Sequence, residues 1–439
     1  MNIKIVLLFF CVLLSALSYA QKSIIELPIT LKNGTGPFNV SMNGISPNSE
    51  DLNNSWKKNY FQASGIPINW TDAKKGDIET NMYQTVYQNY LSGNITLEKY
   101  ESLQQAWNWT PDTLNLSKKP IKCKIAFTYG KDESGKTKMV VDANNNLSFS
   151  DDVIFTPLEG EMNSKFNIDS LSIKNAIMVS YERMSGNKII QEKLPLFIMH
   201  SNNYNAFMCN FPQYATTRLD GEEIAVCSDD FGTPSYGATS IVVINDSIGN
   251  GKKANYENII ASDELIKIKG NIYKNKGVNL NKNVLVLEKT NLPQSKLYST
   301  QVGFKTLPFE GQDFKTKSNI SLDNYKGKYL LIDFWAVWCV PCIQELPNMK
   351  VLYDKLDKSK IEILGIVGEL RSSDALEKMI DKYSITWPQI VSDETNKITN
   401  KYRIYGYPTT LLINPEGIIV AKNLKVKDLE TKLNELMVR

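Results

Sequence analysis

Cys339 and Cys342 stand two residues apart in Trp338-Cys339-Val340-Pro341-Cys342, directly after the run Tyr329-Leu330-Leu331-Ile332-Asp333-Phe334-Trp335. A pair at this spacing, set where a strand gives way to a helix, closes and reopens a disulfide with little backbone movement. The unsatisfied N–H groups of a helix's first turn favour a thiolate on Cys339 and draw its pKa toward neutrality. Zinc half-sites use the same spacing. The chain has no second C-x-x-C, however, and its one histidine, His200, is far away in sequence. The redox reading is therefore preferred, and neither a metal nor a cofactor is expected. Cys339, exposed at the helix start, is the expected attacking thiolate, and Cys342, more buried one turn later, resolves the mixed disulfide. Pro341 can begin the helix because its missing N–H would have been unpaired there.

Two carboxylates flank the pair. Asp333 interrupts a strand that otherwise reads as buried, so its desolvation is costly and its pKa is expected to rise. Glu345, three residues after Cys342, falls on the same helical face; helper and plain surface residue are both consistent with that spacing.

The elements that must hold these residues follow a β-α-β pattern. A strand at 328–335 leads to a helix at 341–356, a strand at 361–367, a helix at 373–383 and a short helix near 397–402. A strand at 409–413 turns at Pro415-Glu416-Gly417 into a strand at 418–424. A last helix follows with Leu429, Leu433, Leu436 and Met437 on one face. Residues 289–300 read as a linker.

Upstream the texture changes. Short alternating or β-branched runs at 24–31, 121–129, 170–181, 188–199, 239–244, 265–273 and 283–287 are separated by Gly, Asn, Asp and Pro clusters, as an antiparallel β region is written. An insert at 79–107 reads as helical, with Met82, Val86 and Tyr90 at i, i+4, i+8 and Thr96 as a cap for a second helix. The expected organisation is a signal peptide at 1–20, a mixed segment with the helical insert at 21–119, a β-rich accessory domain at 120–296 and the β-α-β domain at 297–439. The topology of the β-rich part is left open.

Composition limits the function classes. The 439 residues are 42% hydrophobic and 22% charged, ordinary for folded protein, and the net charge of +3 gives no electrostatic footprint for nucleic acid. Lys4, the apolar stretch 5–17 and Ser18-Tyr19-Ala20 read as a secretory signal cleaved before Gln21. The chain is then periplasmic or otherwise exported and not transmembrane, or membrane-anchored if the signal stays uncleaved. Disulfides persist in such a compartment. Cys123, Cys209 and Cys227 cannot all pair; a Cys209–Cys227 bridge and buried thiols are both open. Asp142-Ala143-Asn144-Asn145-Asn146 with Asp151-Asp152 hints at a calcium loop. Its positions 6 and 12 are Leu147 and Val153 rather than Gly and Glu, so an asparagine-rich turn is the better reading.

Asp333-Phe334-Trp335-Ala336-Val337-Trp338-Cys339-Val340-Pro341-Cys342, then Glu345-Leu346-Pro347 and Gly406-Tyr407-Pro408-Thr409-Thr410, resemble the TlpA and ResA thiol-disulfide oxidoreductases. These are exported proteins of thioredoxin fold. Ser321-Leu322, Lys326-Gly327-Lys328 and Ile385-Thr386-Trp387-Pro388 carry the likeness further, over about a third of the chain. The resemblance implies an α/β thioredoxin-like fold at the C-terminus and Asp333 as the proton acceptor of Cys342 from beneath the cysteines, with Glu345 modulating it. It also implies Pro408 as a cis-proline facing the disulfide, Tyr407 offering backbone groups to an extended substrate, and Trp338 as an apolar substrate contact. Partners would be cysteine-containing exported proteins, as in apocytochrome maturation, with electrons from a membrane thiol donor.

Reduction of substrate disulfides is the leading expectation; an oxidase or isomerase would use the same residues at a different redox poise. A peroxiredoxin would want Pro and Thr or Ser seven and three residues before its cysteine, where Ile332 and Ala336 stand. A Sco-like copper chaperone would want C-x-x-x-C and a late histidine. A third reading makes the long N-terminal region a binding module and the C-terminal domain its tether.

Overall fold

The structure, a computed structural model, describes residues 23–437 except 52, 55, 108, 112–114, 162–166, 229–230 and 250. The expected signal peptide lies outside the described residues. The chain divides into two compact units, Met1–Thr290 and Asn291–Arg439.

Among the described residues, the first unit is built from four sheets, nearly all antiparallel. Strands Ser23–Pro28, Val284–Thr290, Asn271–Asn279 and Leu265–Ile268 form one, so the first described strand pairs with the last of the unit. Thr30–Asn33, Gln213–Leu219, Glu222–Ser228 and Thr239–Val243 form a second. The run at 24–31 therefore breaks at Ile29 into strands of two different sheets. A third sheet holds the long hairpin Ile177–Ser185 and Lys188–Ser201. A fourth joins Thr71–Glu79, Lys124–Lys131 and Thr137–Val141.

That fourth sheet pairs Glu79 with Lys124, so it spans the boundary expected at residue 120. The segments on either side of that position share one sheet and one unit. The helical insert stands as Met82–Leu91 and Leu97–Ala106. Thr96 Oγ1 accepts the Lys99 N–H at 3.2 Å, satisfying one of the donors a helix start leaves open.

Two other sequence expectations are corrected. The run at 170–181 is not one strand: Asn167 caps a helix, Ile168–Lys174, and the strand begins only at Ile177. The run at 265–273 is a hairpin whose turn is Lys269-Gly270, both at positive φ. Gly270 was the overlooked signal, since glycine meets that conformation without strain.

In the second unit, five strands lie in the order Gln389–Val391, Ile361–Val367, Tyr329–Trp335, Thr409–Ile413, Ile419–Lys422. The first three run parallel and the last two antiparallel to their neighbours, as a thioredoxin-like sheet does. Alternation along the central strand decides which side chain faces which layer. Leu330, Ile332 and Phe334 meet Leu364, Ile366, Leu411 and Tyr402 on one face. Leu331 and Trp335 meet Leu346, Met349 and Leu352 of helix Val340–Lys355, together with Leu429 and Leu433 of the last helix, on the other. The side chains of Leu436 and Met437 lie outside the described set.

Candidate active site

The central strand ends at Trp335, and the chain turns through Ala336-Val337-Trp338 into helix Val340–Lys355. Cys339 is the N-cap of that helix. Its sulfur accepts the backbone N–H of Cys342 at 3.2 Å, so one open donor of the first turn points at this atom. That contact and the aligned peptide dipoles supply the stabilisation a thiolate at Cys339 needs. Cys339 and Cys342 are joined by a disulfide with their Cα atoms 5.3 Å apart.

Exposure departs from the expectation. Cys339, foreseen as exposed, is 4% exposed, the same as Cys342. As N-cap residue its side chain folds back over the first turn and into the apolar cluster that also holds Trp335, Ala336 and Leu346. The neighbours face outward instead: Trp338 is 53% and Val340 62% exposed. Trp338 stands edge-on to Tyr407, ring centroids 5.8 Å apart. Tyr407 is half-buried against the cluster that contains both cysteines, and the Tyr407–Pro408 peptide bond is cis, with Pro408 exposed.

Asp333 lies between Leu331 and Trp335 on the central strand, so its side chain shares their face, the one covered by the helix that carries Cys342. It is buried, and its carboxylate has no hydrogen-bond or ion-pair partner among the described residues. Burial, and secondly the negative charge of Glu345, push its pKa up to about 7. Glu345 is half-buried, and its Oε2 accepts the N–H of Val426, at the start of the last helix, at 3.4 Å. The two acids thus bear on each other electrostatically, Asp333 from the sheet and Glu345 from the disulfide-bearing helix.

Sequence reasoning did not find Gln389. Its Oε1 accepts the Trp335 indole N–H at 3.0 Å, and its Nε2 donates to the Trp387 carbonyl, both fully inside the core. Gly365 makes the room, since a Cβ there would lie 2.0 Å from Gln389 Oε1. A contact across fifty-four positions leaves no local pattern to read.

The cysteines of the first unit behave differently. Cys123, Cys209 and Cys227 are buried and none forms a disulfide, so the Cys209–Cys227 bridge is not present. Cys209 and Cys227 sit on strands of different sheets, and Cys123 immediately precedes strand Lys124–Lys131. Asp142 accepts the N–H groups of Asn146 and Leu147, which closes the asparagine-rich turn on itself. No helix among the described residues is long and apolar enough to cross a membrane.

The profile of the AhpC/TSA family matches residues 302–422. The thiol-disulfide oxidoreductase ResA of Geobacillus kaustophilus is 35% identical over 119 residues, which make up 26% of this chain and 67% of that protein. The thioredoxin-like protein YneN of Bacillus subtilis is 34% identical over 140 residues, 28% of this chain and 79% of that one. Among solved structures, the thioredoxin domain of a Bacteroides vulgatus thiol-disulfide oxidoreductase is 29% identical. It covers 31% of this chain and 96% of its own, at a TM-score of 0.29. By its C-terminal unit, with the strand, helix and cysteine pair described above, the chain belongs to the thioredoxin-like, ResA-related thiol-disulfide oxidoreductases.

Proposed function

We propose that the protein is exported and reduces disulfides in other exported cysteine-containing proteins, apocytochromes among them, drawing electrons from a membrane dithiol donor. The observation that carries the reading is the unpartnered buried carboxylate of Asp333 on the sheet face under the dithiol helix, with a pKa near 7. A buried acid with no cation is destabilising, and it serves best where a proton must be taken up and released near neutral pH.

The Cys339 thiolate attacks one sulfur of a substrate disulfide. A bond forms between Cys339 Sγ and that sulfur, and the other substrate sulfur leaves as a thiolate that takes a proton from water. Cys342 gives its proton to the Asp333 carboxylate and attacks Cys339 Sγ, expelling the second substrate sulfur. The enzyme is left oxidised, with the Cys339–Cys342 bond, and the substrate reduced by two electrons. A dithiol of lower potential reverses the sequence on the enzyme. Glu345 modulates Asp333 through its charge. Trp338, Tyr407 and Pro408 receive the substrate segment, which supplies the apolar surface that Trp338 lacks. The first unit serves as an accessory region, and residues 1–20 as a cleaved signal peptide.

The test is trapping. The variant Cys342→Ser, expressed in the exporting compartment, accumulates mixed disulfides through Cys339; the absence of any captured protein overturns the division of roles. Equilibration with thiol buffers gives the direction: a potential near about −270 mV marks a reductase and one near roughly −120 mV an oxidant.

A further inference from the structure

Gly368 follows directly on strand Ile361–Val367, and its missing side chain leaves room for the tip of Tyr407. A Cβ built on Gly368 would lie 1.7 Å from the Tyr407 hydroxyl oxygen and 2.6 Å from Cζ, closer than any real contact. The backbone of Gly368 is not in the left-handed region, so the missing side chain serves space and not conformation. The glycine also cannot retreat. Its N–H donates to the Trp335 carbonyl at 2.9 Å, and the Ser392 N–H holds the preceding Val367 carbonyl at 2.8 Å. Trp335 itself is locked in the core by Gln389.

We propose that Gly368 is a positioning residue for substrate recognition, acting through the Tyr407 ring it seats and, by way of that ring, through Trp338. The seat takes the hydroxyl end of Tyr407, whose ring meets Trp338 edge-on at 5.8 Å while the indole stays half in solvent. Gly365, three residues earlier, does the same for Gln389 and Trp335, so a strand and the residue that follows it use two missing side chains to place the two tryptophans beside the dithiol. The inference rests on the reading of Trp338 and Tyr407 as substrate contacts. What it adds is that the geometry of the contact is fixed from the opposite side, by a residue that touches neither substrate nor sulfur.

The experiment compares the full chain with Gly368→Ala, Tyr407→Ala and the double variant, using a cysteine-peptide disulfide as substrate and dithiothreitol as donor. Displacing the ring by an ångström or more raises KM for the peptide by about tenfold or more. Reaction of the reduced enzyme with the small disulfide 5,5′-dithiobis(2-nitrobenzoate) stays within roughly twofold, because the sulfurs are untouched. Tyr407→Ala raises KM as well, and adding Gly368→Ala to it costs nothing more, because the clash has gone. Losses that multiply in the double variant, or a Gly368→Ala KM within roughly twofold of the parent while Tyr407→Ala is impaired, overturn the seat alone. An unchanged KM in Tyr407→Ala overturns the substrate-contact reading and the seat with it. If Gly368→Ala does not fold, the double variant decides: folding and kinetics restored to the Tyr407→Ala level support the seat, and failure to fold overturns it.

Discussion

Both units bury carboxylates, and they do so in opposite ways. In the first, Asp77 and Glu79 face Lys124, whose ammonium lies 3.1 Å from Glu79 and 3.9 Å from Asp77 and also donates to the Asn59 carbonyl. Burial pushes both acids up, and Lys124 pulls them back. In the second, Asp333 has no cation among the described residues, and the charge that bears on it, Glu345, pushes the same way as burial. The cysteines divide along the same line. Burial drives Cys123 and Cys209 up to about 12, where a thiol is inert, whereas the Cys339 sulfur sits on the open donors of a helix start. Paired or insulated groups hold a fold together. A group left unpaired at a cost is placed for chemistry.

The sharpest way to break this contrast is at sulfur. Cys339→Ser is expected to lower disulfide reduction by about a thousandfold or more, to the uncatalysed background. Cys209→Ala keeps activity within roughly twofold and costs about 1 kcal/mol of stability from the small cavity. Insulin reduction and denaturant unfolding measure the two sides, and a Cys209 variant that loses activity would erase the distinction.

Lys124→Met removes the cation and leaves the buried Asp77 and the half-buried Glu79 without it. It should destabilise by about 3 kcal/mol or more in denaturant unfolding. Asp333→Asn should do the reverse at neutral pH. Its folded pKa near 7 lies above the ordinary carboxylate value of 3.8, so the folded state holds a proton there that the unfolded chain has lost. Stability from this group therefore falls as pH rises from about 4 to about 7 and stays low above that. Asp333→Asn is accordingly more stable than the parent at pH 8, on the order of a few kcal/mol, and nearly equal to it at pH 4. Equal stability of the two proteins at pH 8 would mean that Asp333 is compensated after all.

The same titration bears on turnover. Resolution by Cys342 needs the carboxylate, so its rate should fall about tenfold per unit below pH 7 in single-turnover measurements, and Asp333→Asn should flatten that limb. A purely structural effect is expected at Gln389. Gln389→Met leaves the buried Trp335 N–H without an acceptor and costs about 1–2 kcal/mol, visible in unfolding and not in the potential.

Much of the second unit can be read directly. The apolar run 329–335 (interrupted only by Asp333), Pro341 just inside a helix start and the period of Leu429 and Leu433 are local patterns, and local patterns specify elements. The first unit is less legible because its strands are short and their partners distant. Nothing near Ser23 says that its strand pairs with Val284–Thr290, and nothing near residue 120 says that Glu79 pairs with Lys124 across it. The helix at Ile168–Lys174 hides in a β-branched stretch, and only its Asn167 cap betrays it.

Residue type and spacing alone determined that two sulfurs could meet at a helix start and that an acid would interrupt a buried strand, because backbone periodicity fixes both. Which side chains cover those groups was decided only by tertiary packing. Cys339 is buried in a cluster that gathers side chains from several elements of the second unit, Asp333 lacks a cation because no lysine or arginine among the described residues is brought to its face, and Tyr407 finds its place because Gly368, thirty-nine positions earlier, leaves a gap of one methyl group. Burial and charge compensation are sums over neighbours in space, and no window along the sequence contains them.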